Sequence, residues 1–395
     1  MPAKPRLHAA PATLVSLAVI LALAVAGVMV LSGDRALAKQ LSCGDTITAD
    51  TTLHKDLVNC PNNGIIIGAD DVTLDLNYHR IDGDGTPAVG CDFETEFCDI
   101  GVLSDGHDGV TVVHGSVRQF DVGAVVGEAR HNRLLGISSS RNLSFGIVVF
   151  DSVRSLVRGS SGNRNLPPEG DGMGLFSSHH VRIVHNSFRR NPPFGPGLHV
   201  ADSSHNLIKG NLFSRNPDVG ISLENADRNR VRGNRCVRNG ACIRVGPGNR
   251  NVIARNRVAH ARASESADGV AIVVEGGDRN VIARNSVRDT EGNAIGVGFI
   301  AAVGNVVRSN HIRGAGEDGV HVVAKAKHTL LRRNRARHSK DDGFDIEGGR
   351  SKLTRNKARR NGDLGIEAVR GVIDGGGNKA SGNGDPRQCT NVACS

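Results

Sequence analysis

The chain has 395 residues, 38% of them hydrophobic but only 3% aromatic, with no Trp, a single Tyr and a formal charge of +9. So few aromatic side chains would leave a globular core of this length thin, whereas stacked aliphatic coils tolerate the shortage. A basic balance invites an anionic partner, yet the basic residues are not interleaved with aromatics, which argues against a nucleic-acid role.

The N-terminus places Lys4 and Arg6 before an apolar run from Ala12 to Leu31 and then Ala36-Leu37-Ala38. This order of charge, apolar stretch and small residues reads as a signal peptide over residues 1–38, cleaved after Ala38, and predicts an exported protein. The alternative is an uncleaved anchor, since about 20 apolar residues span a bilayer; only in that case is a membrane a partner. Eight cysteines fall into four close pairs, Cys43 with Cys60, Cys91 with Cys98, Cys236 with Cys242 and Cys389 with Cys394. In an exported chain such pairs predict disulfides. The first would tie an N-terminal cap over residues 39–64 and the last a tail over 381–395, covering strand edges that an open solenoid end exposes.

Between these ends one phrase recurs about every two dozen residues. Its asparagine stands at Asn186, Asn211, Asn234, Asn256, Asn285, Asn310, Asn334, Asn356 and Asn378, and the apolar flanks extend the series upstream to Ser160, Ile137 and Gly115. A period of this size predicts a solenoid of about a dozen coils. A second asparagine series lies five residues earlier, at Asn206, Asn229, Asn251, Asn280 and Asn305, with Asn132 in an early turn. Apolar, mostly β-branched residues (Ile208, Val231, Ile253, Ile282, Val307) lie between the two series and predict inward positions of short strands. The third element is a glycine followed by alternation, as in Gly197-Leu198-His199-Val200, Gly319-Val320-His321-Val322 and Gly343-Phe344-Asp345-Ile346. Alternation marks a strand with one buried face. Three short strands use up a repeat, so each coil must pair in parallel with the next, its asparagines stacking in bends that tolerate left-handed backbone.

This pattern resembles the right-handed parallel β-helix of the pectate-lyase-like superfamily, in particular bacterial proteins with generic β-helix repeats. The resemblance covers Ile65 to Asn378, and the phrase Ala69 to Gly85 looks like the first coil of such proteins, with Tyr78 where they often carry glycine. The fold expected is thus all-β, a single-stranded right-handed parallel β-helix over residues 65–380, in a monomer.

The glycine-led strands place His199, Ser222, Arg244, His321, Asp345 and Glu367 on the outer face, with Glu224, Glu275 and Glu347 two positions further on. The repeat swells just before such strands, at residues 165–171, 191–196 and 262–268, and long loops beside a polar strand face make the wall of a cleft. In the superfamily resembled, sugar polymers lie along this sheet, and lyases combine carboxylates, often holding calcium, with a basic residue that removes a proton. Carried over, the resemblance makes Glu224 and Glu275 acids or Ca2+ ligands, Arg244 a clamp or base and His199 a proton-transfer group. His321, Asp345, Glu347 and Glu367 extend the face as binding positions. The alternative for all of these is structural: outward positions are polar in any case, and opposite charges on neighbouring rungs pair.

Asp105-Gly106-His107-Asp108 resembles the DPHD motif of bacterial alginate epimerases with Gly106 in place of proline, and also reads as a turn into a strand. Asp-Gly steps at Asp171, Asp268, Asp318 and Asp342 read as turns. The repeats are also similar to those of the periplasmic accessory protein for copper delivery to nitrous oxide reductase. After export, though, only Met173 would remain as a methionine, so a methionine-rich Cu(I) site is absent; His179, His180 and His205 are the remaining metal-attracting group. Beside the asparagine series runs a basic stripe that includes Arg235, Arg257, Arg308, Arg332 and Arg335. It reads as attraction to an anion or as protection of a long β surface. The function expected is binding, and cleavage or epimerisation, of an acidic polysaccharide along one sheet face. The alternatives are a non-enzymatic envelope scaffold or adhesion rod, and a periplasmic metal-enzyme accessory protein.

Overall fold

Each coil of the chain lays down short strands that find their partners in the next coil rather than in their own. Asp45–Ile47 pairs in parallel with Ile65–Ile67, and Leu198–Ala201 with Val219–Glu224. This computed structural model describes residues 40–87, 99–168 and 170–395. The expected signal peptide over residues 1–38 and the expected Cys91–Cys98 disulfide lie outside the described residues.

Among those residues there is no helix, and no helix is long and apolar enough to cross a membrane. The glycine-led strands form one sheet of 14 strands, from Asp45–Ile47 to Ile366–Ala368. The remaining coil strands make two further parallel ladders, joined where Thr111–Arg118 and Arg133–Ser140 run through the corner between them. The result is a right-handed parallel β-solenoid of about 14 turns, and at 4.8 Å per rung it is a rod on the order of 60 Å. The count exceeds the expected dozen partly because the segment assigned to the N-terminal cap carries a coil of its own, with Thr51–Thr52 on Leu74–Asp75 and Leu57–Cys60 on Arg80–Gly83.

The asparagine series is a buried ladder. Asn211 is 1% exposed; its backbone N–H donates to Asn234 Oδ1 at 2.9 Å and its Nδ2 to the Ile183 carbonyl at 2.9 Å. The same pattern runs from Asn186 to Asn378. Ile137 and Ser160 stand in the ladder upstream as expected, Ser160 Oγ accepting from the Ile137 N–H. The bends are left-handed as expected, and the left-handed residue at each is the one before the asparagine, as at His185, Gly210, Gly233, Arg255 and Arg284. The asparagine keeps ordinary backbone geometry so that its amide can reach both neighbouring rungs.

Inside lie aliphatic columns such as Leu198, Ile221, Ile243, Ile272 and Ile295, all fully buried, with Phe188 stacked on Phe213 at 5.3 Å. Disulfides join Cys43 to Cys60, Cys236 to Cys242 and Cys389 to Cys394, and no described cysteine is free. The tail returns along the last coil, Cys389 bridging to Ile366 and Cys394 to Asn378.

Candidate functional site

Parallel register turns sequence spacing into columns. On the outer face of the 14-stranded sheet one column reads Val148, Gly174, His199, Ser222, Arg244, Val273, Gly296, His321, Asp345 and Glu367. The expected column is therefore present but interrupted: Val273 and Gly296 divide it into two polar groups. Upstream it is apolar, with Leu103, Val125 and Val148 buried on this outer face beside Phe145, Phe150 and Phe176. Polar outward positions are thus not a general rule of this sheet. The next column reads Phe150, Phe176, Ala201 and Glu224, and then Gly246 stands between Glu224 and Glu275.

The first group is a chain of ion pairs. His199 Nδ1 lies 3.5 Å from Asp171 Oδ2, and its Nε2 lies 3.4 Å from Glu224 Oε2 in a contact without hydrogen-bond geometry. Glu224 Oε1 accepts from Ser222 Oγ at 2.9 Å and faces Arg244 Nη2 at 3.5 Å. Burial disfavours the imidazolium, but the carboxylates of Asp171 and Glu224 outweigh it and raise His199 to about 9. The His199 contact, against the opposing effect of burial, holds Glu224 at about 2. Glu275 is raised by burial and Asp218 likewise. Glu275 makes no ion pair among the described residues, and two rungs separate it from Glu224, about 10 Å of backbone. Glu224 and Glu275, the expected acids or Ca2+ ligands, thus stand on separate rungs of one column with Gly246 between them.

The swollen turns wall this group as predicted. A cavity of about 580 Å³ is lined by Phe145, Pro168, Asp171, Phe176, Phe194, Pro196, His199, Asp218, Glu224 and Arg244, among others. The third turn folds into a hairpin, Ala263–Ser264 against Ala267–Asp268, and reaches back over the rungs: Ser264 Oγ donates to the Pro217 carbonyl and Ser266 Oγ to that of Pro193. Phe176 packs edge-on against both Phe145 and His199, at 5.7 and 5.5 Å, and Phe194 is half exposed. Beyond Arg244 a smaller cavity of about 180 Å³ is bordered by Asp268, Glu275 and Phe299.

The second group is acidic. His321 Nε2 lies 3.4 Å from Asp345 Oδ2 and 3.9 Å from Glu347 Oε2. Asp318 and Asp342, read as turn residues, stack one rung apart beside them, Asp318 Oδ1 accepting from the Asp342 N–H at 2.9 Å. Ligand atoms of Asp318, His321 and Asp345, those of Asp318, Asp341 and Asp342, and those of Asp342, Asp345 and Glu367 lie within 4.8 Å of one another, so among the described residues these are the groups able to hold a cation. Burial, reinforced by the neighbouring carboxylates, raises Asp318 and Asp345 to about 7 and pushes Asp342 upward.

Other expected motifs lie elsewhere. His107 faces Asp70 at 3.4 Å, while Asp108 accepts from the Arg130 N–H, so the segment resembling an epimerase motif is a turn that ties rungs together. His180 stacks on His205, and Ser204 Oγ bridges His179 and His205; none of the three joins a metal-ligating set among the described residues. The basic stripe is real: Arg235 pairs in register with Arg257, Arg308 with Arg332, and Arg335 with Lys357, all exposed.

Residues 263–386 match the family described as right-handed beta helix region. No curated protein matches the chain significantly. Among solved structures, the DFA-IIIase of Arthrobacter chlorophenolicus A6 in complex with GF2 is 13% identical, over 69% of this chain and 67% of that one, with a TM-score of 0.46. The surface adhesin PfbA of Streptococcus pneumoniae is 10% identical over 77% and 83%, with a TM-score of 0.45. The A-module of the mannuronan C-5 epimerase AlgE6 of Azotobacter vinelandii is 13% identical over 84% and 80%, also at 0.45. Likeness at this level concerns the fold alone. Residues 81–289, just over half of the chain, match a second family model, and by that match the protein belongs to the family described as periplasmic copper-binding protein (NosD).

Proposed function

We propose that the protein is an exported glycan-binding β-helix that takes a neutral polysaccharide segment in the cleft around His199, Glu224 and Arg244. One observation carries the reading: Phe145, Phe176 and Phe194 share a cavity with Asp171, Glu224 and Arg244. Apolar ring faces beside fixed polar groups suit a sugar, whose C–H faces stack while its hydroxyls hydrogen-bond. The charge balance selects among sugars. Among the described residues, His199 and Arg244 are the cations that Asp171, Asp218, Glu224 and Glu275 face, so a polyanion entering this cleft meets excess negative charge. The acidic polymer expected from the resemblance is disfavoured there.

The same contacts favour binding over proton transfer at these residues. A carboxylate held at about 2 is a weak base and an imidazolium at about 9 a weak acid, whereas catalytic groups work best with values near the operating pH. Disulfides support the exported location. The family description raises copper as a second reading. Met173 is fully buried in the core and every described cysteine is in a disulfide, so these residues do not fit a soft Cu(I) site.

Affinity electrophoresis through gels containing inulin, dextran or galactomannan tests the proposal. At least one neutral polymer should retard the protein, and Phe194→Ala or Arg244→Ala should weaken that retardation about tenfold, roughly 1.4 kcal/mol. Indifference to every neutral polymer, or variants that bind like the parent, would sink it.

A further inference from the structure

The corner between the third strand of each coil and the 14-stranded sheet carries arginine at the same left-handed position in five successive rungs, Arg141, Arg164, Arg190, Arg215 and Arg238, with φ between 55° and 59°. Hydrogen bonds between rungs fix the alignment, the Arg141 N–H donating to the Arg164 carbonyl and the Arg164 N–H to that of Arg189. Backbone preference does not explain the choice, because glycine and asparagine favour this conformation and a larger side chain costs about 1 kcal/mol. Over the early rungs the corner is concave. Arg118, Arg141, Arg164, Arg189 and Arg190 line a groove of about 440 Å³ whose floor includes Ser138, Ser140 and Asn163. Arg118 is held by Asp82, but Arg141, Arg164, Arg189 and Arg190 have no carboxylate within ion-pair distance among the described residues.

We propose that this groove binds an anionic polysaccharide, independently of the neutral-glycan cleft. Guanidinium groups repeating at about 4.8 Å present planar, bidentate donors to carboxylate or sulfate groups, and the serines and Asn163 supply partners for hydroxyls. The groove has no aromatic side chain on which bases could stack and no apolar side chain to enter a bilayer, so a glycan fits it better than a nucleic acid or a membrane. The acidic partner read from composition is thereby placed on the basic corner instead of the cleft.

The test compares the full chain with a triple variant carrying Arg141→Gln, Arg164→Gln and Arg190→Gln and with a matched triple on another corner, Arg255→Gln, Arg284→Gln and Arg333→Gln. Binding to polygalacturonate and to chondroitin sulfate is measured at several salt concentrations. The first triple should bind about 30-fold more weakly, at about 0.7 kcal/mol per exposed charge, and show a shallower salt dependence; the second should change less than threefold. All the substituted positions are exposed, and an unchanged unfolding midpoint in each variant verifies the fold. Equal losses in both triples would overturn the proposal in favour of general charge attraction. Tighter binding to duplex DNA or to phosphatidylserine vesicles would overturn it in favour of those partners. The neutral gels read the cleft separately, so either proposal can fail alone.

Discussion

His199 shows how one residue can be placed by sequence and still be misjudged in role. Its column was legible, because equal distances from the ladder asparagines put His199, Ser222 and Arg244 on successive rungs, and the register agrees. What spacing could not show was the partner: Asp171 looked like a turn residue in an Asp-Gly step, but it begins the strand Asp171–Phe176 and meets His199 from the preceding coil. The consequence is a pH signature. His199 has a folded value near 9, above its ordinary value, so its contribution is complete below about pH 6.5 and lost as pH rises through 9. Glu224, near 2, contributes fully above about 4.5 and loses its contribution as pH falls through 2. The destabilisation caused by His199→Gln should therefore be largest between about pH 4.5 and 6.5 and shrink above pH 9. Thermal unfolding of both proteins across that range measures it, and a difference independent of pH would mean that packing, not charge, holds the residue.

At the scale of the strand and its turn, the sequence reveals periodicity better than interruption. The third corner carries its own amide ladder, Asn142, Asn165, Asn191, Asn216 and Asn239, resuming at Asn361 and Asn383. Its signal was available, since it lies five residues after the main series at 186, 211, 234, 356 and 378. The phenylalanines of the cleft are hidden by a composition that is poor in aromatics overall, but a local concentration matters more to a site than a mean. The acidic group on the strands Val320–Val322, Phe344–Ile346 and Ile366–Ala368 was seen only in part, because Asp318 and Asp342 precede their strands and stack from the turns. Here the sign of the pH effect reverses. Asp318 and Asp345 have folded values raised to about 7, so the native state holds protons that the unfolded chain releases near pH 4, and stability falls as pH rises from about 4 to 7. The unfolding midpoint should drop over that interval, and Asp345→Asn should flatten the slope by removing one carboxyl from the cluster. Calcium at millimolar concentration should raise the midpoint at pH 8, where the carboxylates repel, and leave it unchanged at pH 5. A slope identical in the variant would show that these carboxyls do not titrate together.

For the whole molecule, the decisive property is that, among the described residues, the strands of each coil pair only with those of the neighbouring coils, the hairpin at 263–268 alone reaching further back, so the unit of stability is the rung and the unit of specificity is the register. Ladder asparagines, inward aliphatic columns and outer polar groups all depend on the same alignment, which is why the architecture was readable from spacing alone while the partners across a turn were not. The same property makes a deletion experiment decisive. Leu330 aligns with Lys352 and Arg335 with Lys357, so removing residues 330–351 excises one complete coil and brings the 306–308 strand onto 352–354 with every inward position still inward. That variant should keep a β-rich circular dichroism spectrum and a cooperative transition, with an unfolding enthalpy lower by about one part in 14, since enthalpy scales with the number of folded residues. Removing only residues 330–340 takes away half a coil, sets the glycine-led strand against the wrong wall and turns inward side chains outward; it should yield no cooperative transition. If the half-coil deletion folds as well as the full one, the walls are interchangeable and the columns that build both sites are not fixed by register.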